Sequence, residues 1–427
     1  MFTRRRFLQS SGLAASGALA LGTPASASAE EKLLPAIAAL QSMKSQARPI
    51  SKEERAVRLE RARILMAQNH LDALLVCGGT SLVYFTGIRW WLSERFFGLA
   101  LPASGAPFFV CPMFERDRAM EQIAAGPFGS NPDVRLWEEH EDPYALVVQG
   151  LKDRGIFAGR LAVEERTYFV YSNEIAQRAP ALQVVSATPV TAGCRMIKSV
   201  HELELMQLAN TVTWTAYQAA YRSLREGMTQ QEFARLVSLA HERLGFEGGA
   251  DVQTGAYSAL PHGSIQPQVV REGTILLIDG GGTVEGYQSD ISRTFVLGKP
   301  SDKMKKVFEI VHRAQSAALA EARPGVEAQS VDAAARKVIS DAGYGPDYAH
   351  FTHRVGHGIG MDGHEWPYLV RGDTLALREG MTFSDEPGVY IRGEFGVRLE
   401  DDMHITADGA KLFTPQSPSL EDPFGKA

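Results

Sequence analysis

The chain has 427 residues, which is too many for one ordinary hydrophobic core, so at least two domains are expected. Its composition, 44% hydrophobic and 22% charged, is that of a globular enzyme and excludes a fibre or a disordered chain. The formal net charge of −6 lacks the basic excess of a nucleic-acid-binding protein, so we expect no nucleic acid as partner.

The first 29 residues have the features of an export signal. Arginines at positions 4–6 precede Phe7-Leu8, a stretch rich in Ala and Gly follows, and residues 27–29 form an A-x-A cleavage site. This pattern resembles a twin-arginine (Tat) signal, with an ordinary Sec signal as the alternative. The apolar run is too short to span a bilayer. We therefore expect removal of residues 1–29, a periplasmic or secreted protein, and no stable membrane anchor.

An α/β domain is predicted over residues 51–195, after a flexible leader at 30–50. Charged and apolar residues at helical spacing predict a helix from Lys52 to about Asn69, and the segments ALLVCGG, FFGLALP and APFFVCP predict strands. Three widely spaced cysteines predict no disulfide framework. Two of them, Cys77 and Cys111, end apolar runs and are expected to be buried thiols.

A second domain is predicted over residues 196–427. Ser199 is the expected N-cap of a long amphipathic helix, with Glu202 as its capping-box partner. A faint internal repeat follows, in which the helix-preceding segments that start at Arg225 and Arg323 are 98 residues apart. A duplicated α/β unit would place a site between its halves, although two helical stretches can also be similar by chance.

Five residues of this second domain read as ligands of one metal centre. One aspartate, Asp279, ends a strand-like segment, and the other, Asp290, lies near the start of the next one, after a Gly-rich turn. Two glutamates lie on either side of a turn at residues 392–394. A carboxylate buried without a partner costs several kcal/mol, which a cation offsets. Four carboxylates and one imidazole suit two divalent cations better than one. The five are Asp279, Asp290, His357, Glu386 and Glu400.

Further histidines lie close to these ligands in the sequence. His353, His357 and His364 fall within 12 residues, and His262 precedes Asp279 by 17 residues. The glycines of HGIGMDGH indicate strand and loop rather than a helical zinc signature. Single histidines are commonly structural, but this grouping favours an active site.

These motifs resemble the metallopeptidase family of aminopeptidase P, prolidase and methionine aminopeptidase, whose "pita-bread" fold creatinase shares. The resemblance implies a creatinase-like N-terminal α/β domain, carried by LDALLV and YFTGIRWW, and a C-terminal pita-bread domain that contains the pseudo-twofold repeat. It covers nearly the whole chain after the signal, and all five ligand positions match. The expected fold class is therefore α/β (α+β) with these two domains.

The resemblance also implies roles for individual residues. Asp290 and Glu400 would bridge two metals, and a bridging hydroxide would attack the scissile carbonyl. Glu386 would carry a proton to the leaving nitrogen, and His364 would stabilise the oxyanion. The remaining matches are non-ligand active-site residues. They are His262, His353 and Arg398.

The expected substrate is a small peptide with proline at its second position, cleaved as by an aminopeptidase or a dipeptidase. Oxygen-rich ligation with one imidazole favours two manganese ions, with Co, Fe or Zn as alternatives. A homodimer or higher oligomer is expected from the resemblance. A metal-dependent lyase or C–N hydrolase acting on a small zwitterion is the alternative, and a non-catalytic binding module is disfavoured by the complete ligand set.

Two residues depart from the pattern of the family and leave the substrate open. Asp385 directly precedes the ligand Glu386, where relatives carry an apolar or uncharged residue, and we expect it on the opposite face of its strand. Gly363 stands before His364, where Val is common.

Overall fold

The computed structural model describes residues 34–425, so the predicted export signal at 1–29 lies outside the described residues. One compact unit begins at Pro35. Among the described helices, none combines the length and the apolar character needed to cross a bilayer.

The interpretation of residues 30–50 as a flexible leader is wrong for the part that is described. Helix α1 spans Pro35–Ala38, and a 3-10 turn spans Lys44–Gln46. The side chains of Ile37 and Ile50 are buried, which ties the segment to the core. The backbone N–H of Met43 donates to the Leu244 carbonyl at 2.8 Å. Apolar burial at intervals fixes this segment although its composition is polar and Ala-rich.

The N-terminal half forms a mixed six-stranded sheet with helices on both faces. Its strand order is β4-β3-β2-β1-β5-β6, in which β1, β2 and β3 pair antiparallel and the outer pairs are parallel. The strands are β1 (Ala73–Cys77), β2 (Gly98–Pro102), β3 (Phe108–Pro112), β4 (Asp133–Trp137), β5 (Gly159–Val163) and β6 (Leu182–Ser186). The helices are α2 (Lys52–Gln68), α3 (Thr80–Thr86), α4 (Arg116–Ala124), α5 (Pro143–Lys152), α6 (Phe169–Arg178) and α7 (Thr188–Arg195).

The predicted elements of this half are confirmed. Helix α2 and strands β1 to β3 lie where the periodicity predicts them. Fully buried strand residues, such as those of β1, form apolar layers on the two faces of the sheet. Cys77 and Cys111 are buried and free, as expected, and Cys194 is buried and free as well.

As far as the structure describes it, the C-terminal half contains four α-helices and the remaining strands. The helices are α8 (Val200–Tyr221), α9 (Gln230–Leu244), α10 (Asp302–Glu321) and α11 (Ala328–Ile339). The strands are β7 (Glu247–Gly248), β8 (Asp251–Thr254), β9 (Ile275–Gly280), β10 (Gly282–Val284), β11 (Tyr287–Gln288), β12 (Ile291–Val296), β13 (Gly356–Gly358), β14 (Glu365–Leu369), β15 (Thr382–Asp385), β16 (Gly388–Ile391), β17 (Phe395–Arg398), β18 (Asp401–Ile405) and β19 (Ala410–Leu412). The Ser199 and Glu202 capping box of α8 forms as predicted.

The internal repeat is visible in matching local structure. Gly227 and Gly325 both have positive φ, 87° and 85°, and they donate their N–H groups at 2.9 Å to the carbonyls of Val270 and Leu377 respectively. The next helix begins 98 residues apart in the two copies, at Gln230 and Ala328. Each copy thus presents a helix pair and a sheet. The sheet of the first is β12-β9-β8, and that of the second is β14-β13-β15-β18-β19.

The hairpin predicted around Asp279 is more elaborate than a single turn. Strands β9 and β12 pair antiparallel, with Asp279 opposite Ser292, but the short strands β10 and β11 are inserted between them. Asp290 lies one residue before β12. The turn at residues 392–394 joins β16 and β17 as predicted. Glu386 and Glu400 therefore lie just beyond β15 and just before β18.

Candidate metal centre

The five predicted ligands converge at the junction of the two repeats. The side-chain ligand atoms of His357, Glu386 and Glu400 lie within 4.8 Å of one another, and so do those of Asp279, Asp290 and Glu400. Glu400 belongs to both groups. Two adjoining cation positions that share this carboxylate fit the arrangement, as expected for a dinuclear site.

His357 presents one ring nitrogen to the centre. Its Nδ1 lies 3.1 Å from the Gly358 carbonyl, and a carbonyl can only accept, so Nδ1 carries a proton. Its Nε2 lies 3.2 Å from Glu386 and 3.9 Å from Asp290. A backbone acceptor behind the ring fixes the orientation in which Nε2 can ligate a cation. The hydroxyl of Ser384 accepts from the His357 N–H at 3.0 Å and reaches Glu386 at 3.2 Å.

Arg398 and Ser292 hold Asp279 of the first repeat, and Ser292 also contacts Glu400 of the second. Arg398 donates to Asp279 at 2.6 Å and to the Ser292 hydroxyl at 2.9 Å. The Ser292 hydroxyl lies 2.8 Å from Asp279 and 2.6 Å from Glu400. Because the Ser292 hydroxyl has only one proton, Asp279 and Glu400 must share it. Sequence reasoning missed Ser292, although its place two residues after Asp290 puts both on one face of the strand.

The electrostatics of the cluster fit cations. Burial and the charge of Asp279 raise the pKa of Asp290 well above its ordinary value, and burial and the charge of Asp290 do the same for Glu400. Burial opposes protonation of His357, yet Glu386 and Asp290 raise its pKa to about 9. Burial raises the pKa of Glu386, but His357 outweighs it and brings the pKa to about 2. Without metal, protons substitute for cations among these groups.

His353 and Tyr390 extend the network away from the ligands. The Tyr390 hydroxyl accepts from Arg398 at 2.9 Å and lies 2.7 Å from the His353 Nε2. The His353 Nδ1 donates to the Arg354 carbonyl at 2.8 Å, so Nε2 of the neutral ring accepts from Tyr390. Burial lowers the pKa of His353, which favours this neutral form. His353 also lies 3.8 Å from Glu386.

His364 stands at the open side of the centre. Its ring stacks on His357 with 3.7 Å between centroids, and one of its ring nitrogens groups with ligand atoms of Asp290 and His357. The Arg354 guanidinium lies 3.3 Å from Nδ1 and can only donate, so the proton of the neutral ring is on Nε2. Burial and the charge of His357 lower the pKa of His364 to about 4. The ring is therefore a neutral N–H donor at physiological pH.

The structure places His262 at the edge of the site rather than in the ligand cluster. The residue is exposed in the loop that follows Ala259, and its charge contributes to the lowered pKa of His364. Arg398 donates to the carbonyl of the preceding Pro261 at 3.0 Å, which attaches the loop to the network.

The segment that carries His364 is held by buried ion pairs. Arg195 is the last residue of α7 and Lys198 lies in the connection between the halves, and each pairs with Glu365, Lys198 at 2.6 Å. Arg195 also pairs with Asp362 at 2.6 Å. Sequence reasoning missed this cluster because its members are far apart in the chain. It joins elements of both halves directly beneath His364.

Asp362 receives two further contacts from the N-terminal half. The Thr80 hydroxyl donates to it at 2.6 Å, and Arg166 pairs with it at 3.0 Å. Arg166 also donates to the His364 carbonyl at 3.2 Å. Both residues flanking the Gly363-His364 pair are thereby fixed by the N-terminal half and the connection.

Asp385 lies in the core and lines no part of the centre. It is fully buried opposite Asp401 in the pairing of β15 and β18, and its two carboxylate oxygens have no hydrogen-bond partner among the described residues. Burial and the charge of Asp401 raise its pKa well above the ordinary value. The expected placement away from Glu386 fits this environment, and the residue is a source of instability.

Metal binding should release protons. The raised pKa values of Asp290, Glu400 and His357 favour their protonated forms in the metal-free protein, and a cation that binds must displace these protons. Titration of metal-free protein with Mn²⁺, followed by calorimetry in two buffers of different ionisation enthalpy, should give net proton release. The apparent affinity should weaken as the pH falls from about 8 to about 6. Tight binding with no proton release at any pH would contradict the raised pKa values.

Asp385→Asn should stabilise the protein, most strongly at alkaline pH. Because the pKa of Asp385 is raised on folding, the wild-type residue costs stability as pH rises above the ordinary carboxyl range. We expect a gain of about 1–3 kcal/mol at pH 8 that shrinks toward pH 4, measured by thermal and urea unfolding. The matched control is Asp332→Asn, which removes a carboxylate paired with Arg336 and should destabilise. An unchanged or lower stability of Asp385→Asn at pH 8 would refute the assignment.

Comparisons with known proteins agree with this architecture. The profile of the creatinase/prolidase N-terminal domain matches residues 58–197, and that of metallopeptidase family M24 matches residues 204–407. An Xaa-Pro dipeptidase of Lactobacillus delbrueckii subsp. lactis is 35% identical over 372 residues, which cover 85% of this chain and 98% of the relative.

Solved structures give the same result. Dipeptidase PepE from Mycobacterium ulcerans matches with a TM-score of 0.82 and 35% identity, over 88% of this chain and 99% of that one. A prolidase from Thermococcus sibiricus matches with a TM-score of 0.76 and 29% identity, over 86% and 98%. The fold class predicted from the sequence is confirmed. The chain belongs to metallopeptidase family M24, with a creatinase-type N-terminal domain, and is a metallopeptidase.

Proposed function

We propose that this protein hydrolyses Xaa-Pro dipeptides at a centre of two divalent cations. The observation that carries the proposal is the convergence of five ligand side chains with Glu400 common to both groups. The names of relatives that align over nearly their whole length support the substrate, since these include Xaa-Pro dipeptidases of a Lactobacillus and of Pyrococcus horikoshii. One imidazole among carboxylates favours manganese over softer metals.

The residues around the centre divide the chemistry among them. Two bound cations would supply a nucleophilic hydroxide near neutral pH and polarise the scissile carbonyl. Glu386 lies within reach of His353 and His357 and is placed to accept a proton from water and deliver it to the leaving nitrogen. That nitrogen has no N–H in an Xaa-Pro bond, so it needs a delivered proton.

His364 would stabilise the carbonyl oxygen as charge develops on it. Its neutral Nε2–H is a donor whose direction is set by Arg354 at Nδ1. Donors held ready in this way contribute about 3–4 kcal/mol each to transition-state binding. The ion pairs of Asp362 and Glu365 on either side of it hold the donor in place before substrate arrives.

In this arrangement Arg354 is the residue that would favour dipeptides, the substrates of a dipeptidase, over the longer peptides cleaved by an aminopeptidase. Its guanidinium stacks over Tyr368 at 4.2 Å and touches His364, so it stands beside the proposed oxyanion donor. A dipeptide presents a free carboxylate two bonds beyond its scissile nitrogen, and a guanidinium binds carboxylates with paired hydrogen bonds. We therefore assign Arg354 to the substrate carboxylate.

The activity is tested with Xaa-Pro dipeptides and added Mn²⁺. The protein should cleave Ala-Pro or Met-Pro, lose activity in EDTA and regain it with Mn²⁺. Cleavage of small zwitterions in place of any Xaa-Pro peptide, with two metals bound per chain, would replace the peptidase proposal by the lyase alternative.

Arg354→Ala should reduce kcat/KM for Ala-Pro by about 10- to 100-fold, the loss expected for a hydrogen bond to a charged group. The loss should be smaller for the amide Ala-Pro-NH₂, which lacks the carboxylate and loses only the contact of Arg354 with His364. Arg371→Ala, which removes an exposed guanidinium from its pair with Asp347, is the control. Equal losses for acid and amide would show that Arg354 does not recognise the carboxylate.

Asp362→Asn should lower kcat while leaving KM and metal content close to those of the wild type. The change removes the charge that holds Arg195 and Arg166 and so loosens the segment that carries His364. We expect a fall of about tenfold in kcat, part of the contribution of one oxyanion donor. Asp347→Asn, which breaks only an exposed pair, is the matched control. An unchanged kcat in this variant would show that the ion pairs of Asp362 do not contribute to catalysis.

A further inference from the structure

A cavity of about 320 Å³ adjoins the metal centre. Asp290 and Gly363 both line it, and Gly363 directly precedes His364. Its remaining walls are formed by the β7 strand, by the glycines at 280–282 and by the β10–β11 insertion. This volume lies at the lower end of the range for small-molecule binding sites.

The glycines that line this cavity differ in how much space a side chain at each position would have. A Cβ on Gly281 would lie 1.7 Å from the Ser289 carbonyl oxygen, and one on Gly248 would lie 2.3 Å from His241. These glycines are required because neighbouring chain segments pass close to them. A Cβ on Gly363 would meet no atom within 4 Å. Packing therefore does not require glycine at 363, and its missing side chain is open space beside the centre.

Apart from its glycines, the residues that line the cavity are acidic or polar. Two carboxylates, Glu247 and Asp290, line it together with the polar groups of Thr283 and Gln288, and none of the described lining residues is a lysine, an arginine or a histidine. Bound cations would neutralise Asp290, which leaves Glu247 as the free charge. Its backbone is fixed opposite Thr283 in the pairing of β7 with β10.

We propose that this cavity receives the side chain of the N-terminal substrate residue, and that Gly363 and Glu247 select long basic side chains there. The inference rests on the proposed Xaa-Pro activity. A polar, carboxylate-lined cavity does not suit the apolar proline ring. Arg354, which we assign to the carboxylate end, is not among the lining residues. The preferred substrates are thus Lys-Pro and Arg-Pro.

Gly363→Val tests the space. The branched side chain would fill the open volume, so kcat/KM for Lys-Pro should fall at least about tenfold relative to Ala-Pro, the discrimination expected from a few displaced methylenes. Gly409→Val is the matched control, since its Cβ also meets nothing within 4 Å and its site is remote in sequence. Equal effects on Lys-Pro and Ala-Pro would overturn the role of Gly363.

Glu247→Gln tests the charge. The ratio of kcat/KM for Lys-Pro to that for Met-Pro, which has an uncharged side chain of similar length, should fall about fivefold, as for an ion pair near the surface. Glu242→Gln on helix α9 is the control. An unchanged ratio would overturn the role of Glu247. Failure of the wild type to cleave any of these dipeptides would instead refute the proposed function, so the two failures are distinguishable.

Discussion

The centre depends on the cost of placing four carboxylates together in a largely buried space. Asp290 and Glu400 repel each other and their neighbours, and burial removes the water that would screen them. Arg398 supplies one positive charge and Ser292 one shared proton, and without metal the remaining negative charge favours protonation of the ligands themselves. Divalent cations are the partners that remove this cost.

The repeated architecture explains how such a cluster can be built. Each copy contributes carboxylates from strand ends, where one or two polar residues can leave an apolar sheet and meet those of the other copy. Arg398 spans the junction, because it belongs to the second copy and pairs with Asp279 of the first. Opposing strand ends thus supply ligands that neither copy could gather alone.

The N-terminal half contributes to the site by fixing the segment that carries His364. Thr80 and Arg166 contact Asp362, while Arg195 at the end of α7 and Lys198 in the connection both pair with Glu365. The carboxylate of Glu365 is buried and pairs with both Arg195 and Lys198, and a buried ion held on two sides can specify a geometry. The N-terminal half and the metal centre are coupled through His364.

Much of the site could be predicted because the residues next to each ligand in the sequence are typical of strands and turns. The apolar run before Asp279 and the glycines after it indicate a strand end, and the capping box at Ser199 is a local signal of the same kind. Contacts between distant residues have no such signal. The pairing of Lys198 with Glu365 and the placement of Arg354 beside His364 emerge only when the chain is folded. The packing of residues 35–50 could not be predicted, because two isolated isoleucines do not form the regular apolar pattern that indicates a helix or a strand.

The most direct test of a dinuclear centre is anomalous diffraction at the manganese edge from crystals grown with Mn²⁺. Two anomalous peaks per chain should appear among the five ligands, with Asp290 and Glu400 touching both and His357 touching one. One peak with full ligand occupancy, or peaks outside this cluster, would contradict the account.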